Sequence, residues 1–155
     1  MSNKLKWGIG SLAICLLLFF FFRQEQVLVV ESVQEKLLFK PTNFSIGWIH
    51  SVEKEPWFEC YEVVDQQFHL YETYFKTYGA GVPTDGEVIP SNDGFVHLKI
   101  DLNFPEIVVA ASSKVETALY IEDQVFPLYG EERQNVHFYL EKISFIQLIF
   151  EGGFK

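Results

Sequence analysis

Apolar and polar positions alternate along most of this chain. From Phe44 to Ser51, one face carries Phe44, Ile46, Trp48 and His50, and the other Ser45, Gly47, Ile49 and Ser51. A period of two is that of an extended strand. The same period puts Trp57, Glu59, Tyr61 and Val63 on one side of a strand from Trp57 to Val64. It puts Phe68, Leu70, Glu72, Tyr74 and Lys76 on one side of the next, from Phe68 to Tyr78. The links, Val52 to Pro56 and Asp65-Gln66-Gln67, suit hairpin turns. Val27-Leu28-Val29-Val30-Glu31 is a continuous apolar run, the pattern of a strand covered on both faces. Lys36 to Lys40 is a short strand stopped by Pro41, and Gly79 to Gly94 reads as loop. Further strands follow at Phe95–Ile100, Glu106–Ala110, Thr117–Ile121, Gln124–Leu128, Val136–Leu140 and Phe145–Phe150, with a turn at Asp101–Pro105 and a tight hairpin at Glu122-Asp123. Strands spaced roughly every 8–12 residues are the pattern of an all-β sandwich or barrel. The expectation is a single antiparallel sandwich or barrel-like domain over residues 26–155.

The first residues follow a different pattern. Lys4 and Lys6 precede an uncharged run from Trp7 to Phe22, and Arg23 closes it. As a helix those residues span roughly 24 Å, and Leu5 with the long stems of Lys6 and Arg23 extends the reach toward a hydrocarbon layer of about 30 Å. The run ends in Phe19-Phe20-Phe21-Phe22-Arg23 with no small-residue cleavage site. The expectation is therefore an uncleaved signal anchor over residues 1–25, meeting the membrane through residues 5–23. The cations gathered on the amino side predict a cytoplasmic amino terminus and an extracytoplasmic domain.

Composition sharpens this picture. The 155 residues hold one domain and an anchor, and 48% apolar residues with 16 Phe and 7 Tyr suit a strand-built core. Beyond Arg23 there remain 9 Lys+Arg against 21 Asp+Glu, a formal −12 for the exported part. Such a domain repels nucleic acid and anionic headgroups, which leaves a protein surface or a small solute as partner. Cys15 in the anchor and Cys60 in the domain cannot form an internal disulfide across the two compartments.

Candidate chemistry gathers between Trp48 and Pro83. His50-Ser51 suggests a hydrolase, but neighbours on a strand point to opposite faces, and no G-x-S-x-G elbow occurs. His50, Glu53, Glu59 and Glu72 are possible metal ligands, yet the His residues are scattered, with no H-x-x-x-H or C-x-x-C. Glu59 and Glu72 on one face invite a glycosidase reading, against which stands a simple hydrogen-bonded Glu beside His50. Gly79-Ala80-Gly81-Val82-Pro83 lacks the Lys-Ser/Thr of a phosphate loop and reads as a tight bend or a small anion nest. Trp48, Trp57, Tyr61 and Tyr74 are core aromatics or the walls of a solute pocket. No catalytic residue, metal ion or cofactor is assigned.

Taken together, His50-Ser51-Val52-Glu53-Lys54-x-Pro56-Trp57-x-Glu59-x-Tyr61 and Glu72-x-x-Phe75-x-x-x-Gly79-Ala80-Gly81-x-Pro83 resemble the bacterial exported proteins of the domain of unknown function (DUF) 1850 family. The resemblance covers Trp48 to Pro83. It implies a small extracytoplasmic β-domain, similar in setting to accessory partners of tripartite TRAP-type organic-acid transporters of the TAXI class, and it implies no activity. The expectation is a single-pass, membrane-anchored accessory protein, not an enzyme, that binds a membrane or solute-binding subunit of a transporter, or its solute. His50, Glu53, Trp57, Glu59, Glu72, Gly79 and Gly81 would form the binding surface. A small metal- or His/Glu-dependent hydrolase and a structural envelope protein are the alternatives.

Overall fold

The computed structural model describes residues 3–83 and 86–155, and within the first helix the side chains of Trp7, Leu12 and residues 14–22. In chain order the elements are α1 (Asn3–Phe22), β1 (Gln24–Glu31), β2 (Lys36–Phe39), β3 (Phe44–Ile49), β4 (Pro56–Val64), β5 (Gln67–Phe75), β6 (Glu87–Ile89), β7 (Val96–Phe104), β8 (Ile107–Ala111), β9 (Ala118–Ile121), β10 (Gln124–Pro127), β11 (Gln134–Ser144) and α2 (Phe145–Phe150). Every strand pairing is antiparallel. The strands form a four-stranded sheet in the order β2-β1-β11-β8 and a seven-stranded sheet in the order β10-β9-β3-β4-β5-β7-β6.

The two sheets share one apolar core. Leu28, Val30 and Phe138 from the first meet Phe44, Ile46, Tyr61, Phe68 and Leu119 from the second. Phe44 stacks on Phe138 across the interface at 5.8 Å. The all-β expectation holds, and the form is a sandwich. β1 is covered on both faces, as its unbroken apolar run predicts. Leu28 and Val30 enter the inter-sheet core, while Val27 and Val29 pack outward against Leu38, Ile143 and Leu148.

Three local expectations are corrected. Phe145–Phe150 is helical, because Ser144 and Gln147 form a reciprocal capping box that satisfies the first free backbone N–H groups. Glu87–Ile89 forms a short edge strand inside the expected loop, and β7 runs on to Phe104 through the expected turn. The third correction concerns strand faces. Two residues of β4 (Cys60 and Tyr61) lie opposite three of β5 (Leu70 to Glu72), and these lie opposite four of β7 (Lys99 to Leu102). The extra residue in β5 inverts its alternation, so Phe68 and Leu70 point inward before it, and Thr73 and Phe75 after it. Stepped bulges of this kind bend and twist a sheet.

No helix among the described residues is long and apolar enough to cross a membrane. Leu16, Leu17, Phe19 and Phe22 of α1 are nonetheless exposed and apolar. The side chains of Lys4, Leu5 and Lys6, on which the anchor's orientation depends, lie outside the described residues.

Candidate functional site

The residues singled out in the sequence separate into three places. His50, Glu53, Trp57 and Gly79 come together where the turn after β3 meets the bend after β5. His50 Nδ1 pairs with Glu53 Oε2, and His50 Nε2 faces the Ala80 carbonyl at 3.1 Å. Glu53 Oε1 accepts from the Ala80 N–H at 3.3 Å. The buried Glu53 Oε2 makes no conventional hydrogen bond and lies against the His50 imidazole. The His50 ring stacks on Trp57 at 5.6 Å, and Trp57 stacks on Trp48 at 5.5 Å. The Trp57 indole N–H donates to Thr73 Oγ1 at 2.8 Å, and the Thr73 hydroxyl donates to the Phe58 carbonyl at 2.8 Å.

Every polar group in this cluster is turned onto another. The space left among His50, Glu53, Trp57 and Gly79 is about 10 Å³, about enough for one water and no solute. The cluster is a clip that fastens the bend to the sheet. Its glycines serve two different needs. A Cβ at Gly79 would overlap the Glu53 side chain, whereas Gly81 has open space but a φ of +82°. The tight-bend reading therefore fits Gly81, while Gly79 is needed for close approach.

Glu72 lies elsewhere. The extra residue in β5 turns it to the outer face, where its carboxylate pairs with His97 Nδ1, and His97 Nε2 faces Asp93 Oδ2 at 3.0 Å. Beside it, His69 lies between Glu62 Oε1 at 2.9 Å and Asp101 Oδ1 at 3.0 Å. The hydrogen bond to Glu72 raises the His97 pKa, and that to Glu62 raises the His69 pKa. Sequence spacing had pointed to neither clamp. Glu59 and Glu72 thus occupy opposite faces of the sheet and cannot flank one glycosidic bond, which corrects the same-face reading.

Glu59 remains, and it has a different setting. It lies on the inner face of β4 between Trp57 and Tyr61, both buried. Burial pushes its carboxyl up from the ordinary range, and the hydrogen bond from Tyr61 opposes that shift. The Tyr61 hydroxyl donates to Glu59 Oε2 at 2.7 Å, and burial followed by the nearby Glu59 charge raises the phenol strongly. Two cavities meet at this pair. One, of about 420 Å³, runs past Ile46, Trp48, Ile107 and Val109. The other, of about 620 Å³, runs past Leu70, Ile100, Leu102 and Lys99. Glu59, Tyr61 and Phe104 line both, so the cavities adjoin in one cleft over the inner face of the seven-stranded sheet, with a carboxyl on its floor and β8 of the other sheet walling the first cavity alone.

Each cavity has the size of a small-molecule site. Leu102, at the mouth, is 53% exposed although its neighbours on that face belong to the core. Among the described residues the acidic side chains along the cleft are Glu59, Glu87, Asp101 and Glu106, against a single Lys99. Among the described residues no group of three or more His, Cys, Asp or Glu is placed to hold a metal ion. The one sequence signal for this site was Glu59 itself, a charged residue on an otherwise apolar strand face.

Fold and cleft together define a β-sandwich with a carboxyl-floored opening over the inner face of its larger sheet. The family model described as Domain of unknown function (DUF1850) matches residues 44–128, more than half of the chain, and the chain belongs to that family. The matched stretch contains the whole seven-stranded sheet, the clip and Glu59. No curated protein and no solved structure matches the chain.

Proposed function

We propose that this protein is a binding module that holds a small amphipathic molecule in the cleft over the inner face of its seven-stranded sheet, with the apolar part against Leu70, Ile100 and Phe104 and a donor head on Glu59. The single observation that carries this reading is the Glu59 carboxyl, largely buried on the floor of the joined cavities, with Tyr61 as its one hydrogen-bond donor among the described residues. A carboxyl withdrawn from water gains from a ligand that brings a donor or a positive charge. The acidic excess along the cleft disfavours an organic anion. Among the described residues that line the cavities no His is placed to serve as base to the Thr73 or Thr117 hydroxyl, and Thr73 already donates to the Phe58 carbonyl, which favours binding.

The module works outside the membrane, tethered by the uncharged run from Trp7 to Phe22, and the transport-accessory setting implied by the family resemblance is part of the same proposal. In it, contact with a transporter subunit comes through the protein surface, and the cleft carries a neutral or cationic compound instead of the transported acid.

The test is a matched pair of probes, phenethylamine and 3-phenylpropionate, titrated calorimetrically into the full chain in detergent. The amine should bind and the acid should not, and Glu59→Gln should weaken the amine at least tenfold. Equal binding of both probes, or amine binding unchanged in Glu59→Gln, overturns the reading. Cross-linking in the native membrane tests the partner separately: recovery of no transporter subunit would remove that part.

A further inference from the structure

The four-stranded sheet ends in a feature that the cleft does not use. β1 begins where α1 stops, and its first residue, Gln24, pairs with Ser144, the last residue of β11. The Phe145 N–H donates to the Arg23 carbonyl at 3.3 Å, so α2 starts at the level where α1 ends. The Phe145 ring then turns back toward α1 and packs on Phe20 at 4.9 Å and on Phe21 at 6.2 Å. Phe20 lies three residues before Arg23, about 4.5 Å along the helix axis at 1.5 Å per residue.

α2 is held rigidly in this place. The capping box of Ser144 and Gln147 fixes its start, and Leu148 packs into the outer face of the sheet against Val27, Val29, Leu38 and Ile143. The next two residues leave that contact: Ile149 is 56% exposed and Phe150 84%. Two large apolar side chains on a capped helix therefore continue the exposed apolar surface of Phe19, Phe20 and Phe22.

Charge is distributed to match. The segments that build this sheet and helix, residues 23–40, 107–111 and 134–155, carry five Lys+Arg and five Asp+Glu, whereas residues 41–106 and 112–133 carry five against 16. The acidity that should repel headgroups is thus confined to the middle of the chain, and the end beside α1 is neutral.

We infer that α2 is an interfacial foot: Ile149 and Phe150 insert into the headgroup–acyl boundary of a lipid bilayer and set the standing angle of the domain on its tether. Amphipathic helices at this depth bury one apolar face while the rest of the chain stays in water. The inference rests on the membrane tether proposed above and is independent of the cleft.

The experiment uses the full chain with Cys15→Ser and Phe150→Cys, labelled with an environment-sensitive fluorophore and reconstituted into phosphatidylcholine–phosphatidylglycerol vesicles. Cys60 is buried and its thiol is raised by that burial, so it leaves the label to the new site. A matched variant, Val52→Cys, reports from an exposed turn. The foot predicts a blue-shifted label at position 150 that lipids spin-labelled near the headgroup quench severalfold more than the label at 52. If the protein floats with the vesicles while both labels stay in water and are quenched alike by iodide, the foot is wrong and the tether stands. A full chain that does not float with vesicles removes the tether and the foot together.

Discussion

The Tyr61 hydroxyl donates to Glu59 Oε2 at 2.7 Å from two positions along the same strand, and the pair forms the floor of the cleft. A period of two brings them onto one face, and the core around Phe44 and Phe68 holds the phenol in place. The hydrogen bond moderates what burial does to the carboxyl and orients it toward the opening.

Tyr61→Phe removes that donor. The Glu59 pKa should move further up, since the bond that favours its charged form is gone. Stability should fall by about 1 kcal/mol, and phenethylamine should bind severalfold more weakly at neutral pH. Carbon-13 NMR titration of the Glu59 carboxyl reads the shift, and an unmoved titration would separate the phenol from the carboxyl.

The outer-face histidines make stability depend on pH. The pKa values of His69 and His97 are raised above the ordinary 6.5 by their carboxylate partners. Their contribution is therefore fully present below about pH 6.5, the unfolded value, and is lost as pH rises through the raised folded values. Asp93, held down to about 2 by the Ser91 hydroxyl and the Phe95 N–H, acts in the opposite sense, adding stability above its ordinary 3.8 that is lost as pH falls toward 2. Thermal melts between about pH 5 and about pH 9 should show the midpoint falling across the upper range. The His69→Gln/His97→Gln double variant should flatten that fall, and a slope equal to wild type would assign it to other groups.

Gly79 and Gly81 should respond differently to the same change. Gly79→Ala drives a Cβ into the Glu53 side chain and opens the clip, at a cost of about 1–3 kcal/mol. Gly81→Ala meets no atom, but places a side chain at a φ of +82°, at about 1 kcal/mol. Denaturant midpoints give the costs, and slow exchange of the His50 ring proton should vanish only in Gly79→Ala. Loss of that protection in both variants would mean that the bend, not the Glu53 contact, needs glycine.

Ser144→Ala removes the cap of α2. The expected loss is about 1 kcal/mol, the usual worth of an N-cap hydroxyl. Faster hydrogen exchange should be confined to residues 145–150 and to the neighbouring Leu148 cluster. Accelerated exchange through β3 and β4 instead would show that the cap supports the whole sandwich.

The fold class was legible in the chain because strand alternation is local. Val27–Val30 announced its double burial, and the Asp65-Gln66 hairpin was placed correctly, both residues adopting the positive φ of a primed turn. α2 was not legible from periodicity because a short, largely apolar stretch suits strand or helix equally, and only the S-x-x-Q capping signature of Ser144 and Gln147 distinguishes them. The candidate site was only partly legible. The motif residues His50, Glu53, Trp57 and Gly79 do meet, but they close on one another, and the cavity is next to Glu59 instead.

The sequence by itself determined the antiparallel strands, the apolar amino terminus, the acidic balance and the inward position of Glu59, since each follows from residue type and a two-residue period. Only the tertiary structure decided that Glu72 turns away from Glu59, because one extra residue in β5 inverts every later side chain of that strand. Only the tertiary structure decided, too, that a cleft opens over Glu59 and Tyr61. That opening depends on where β8, the edge strand of the four-stranded sheet, stops covering β4, β5 and β7, a placement set by packing across the sandwich and written in no single strand.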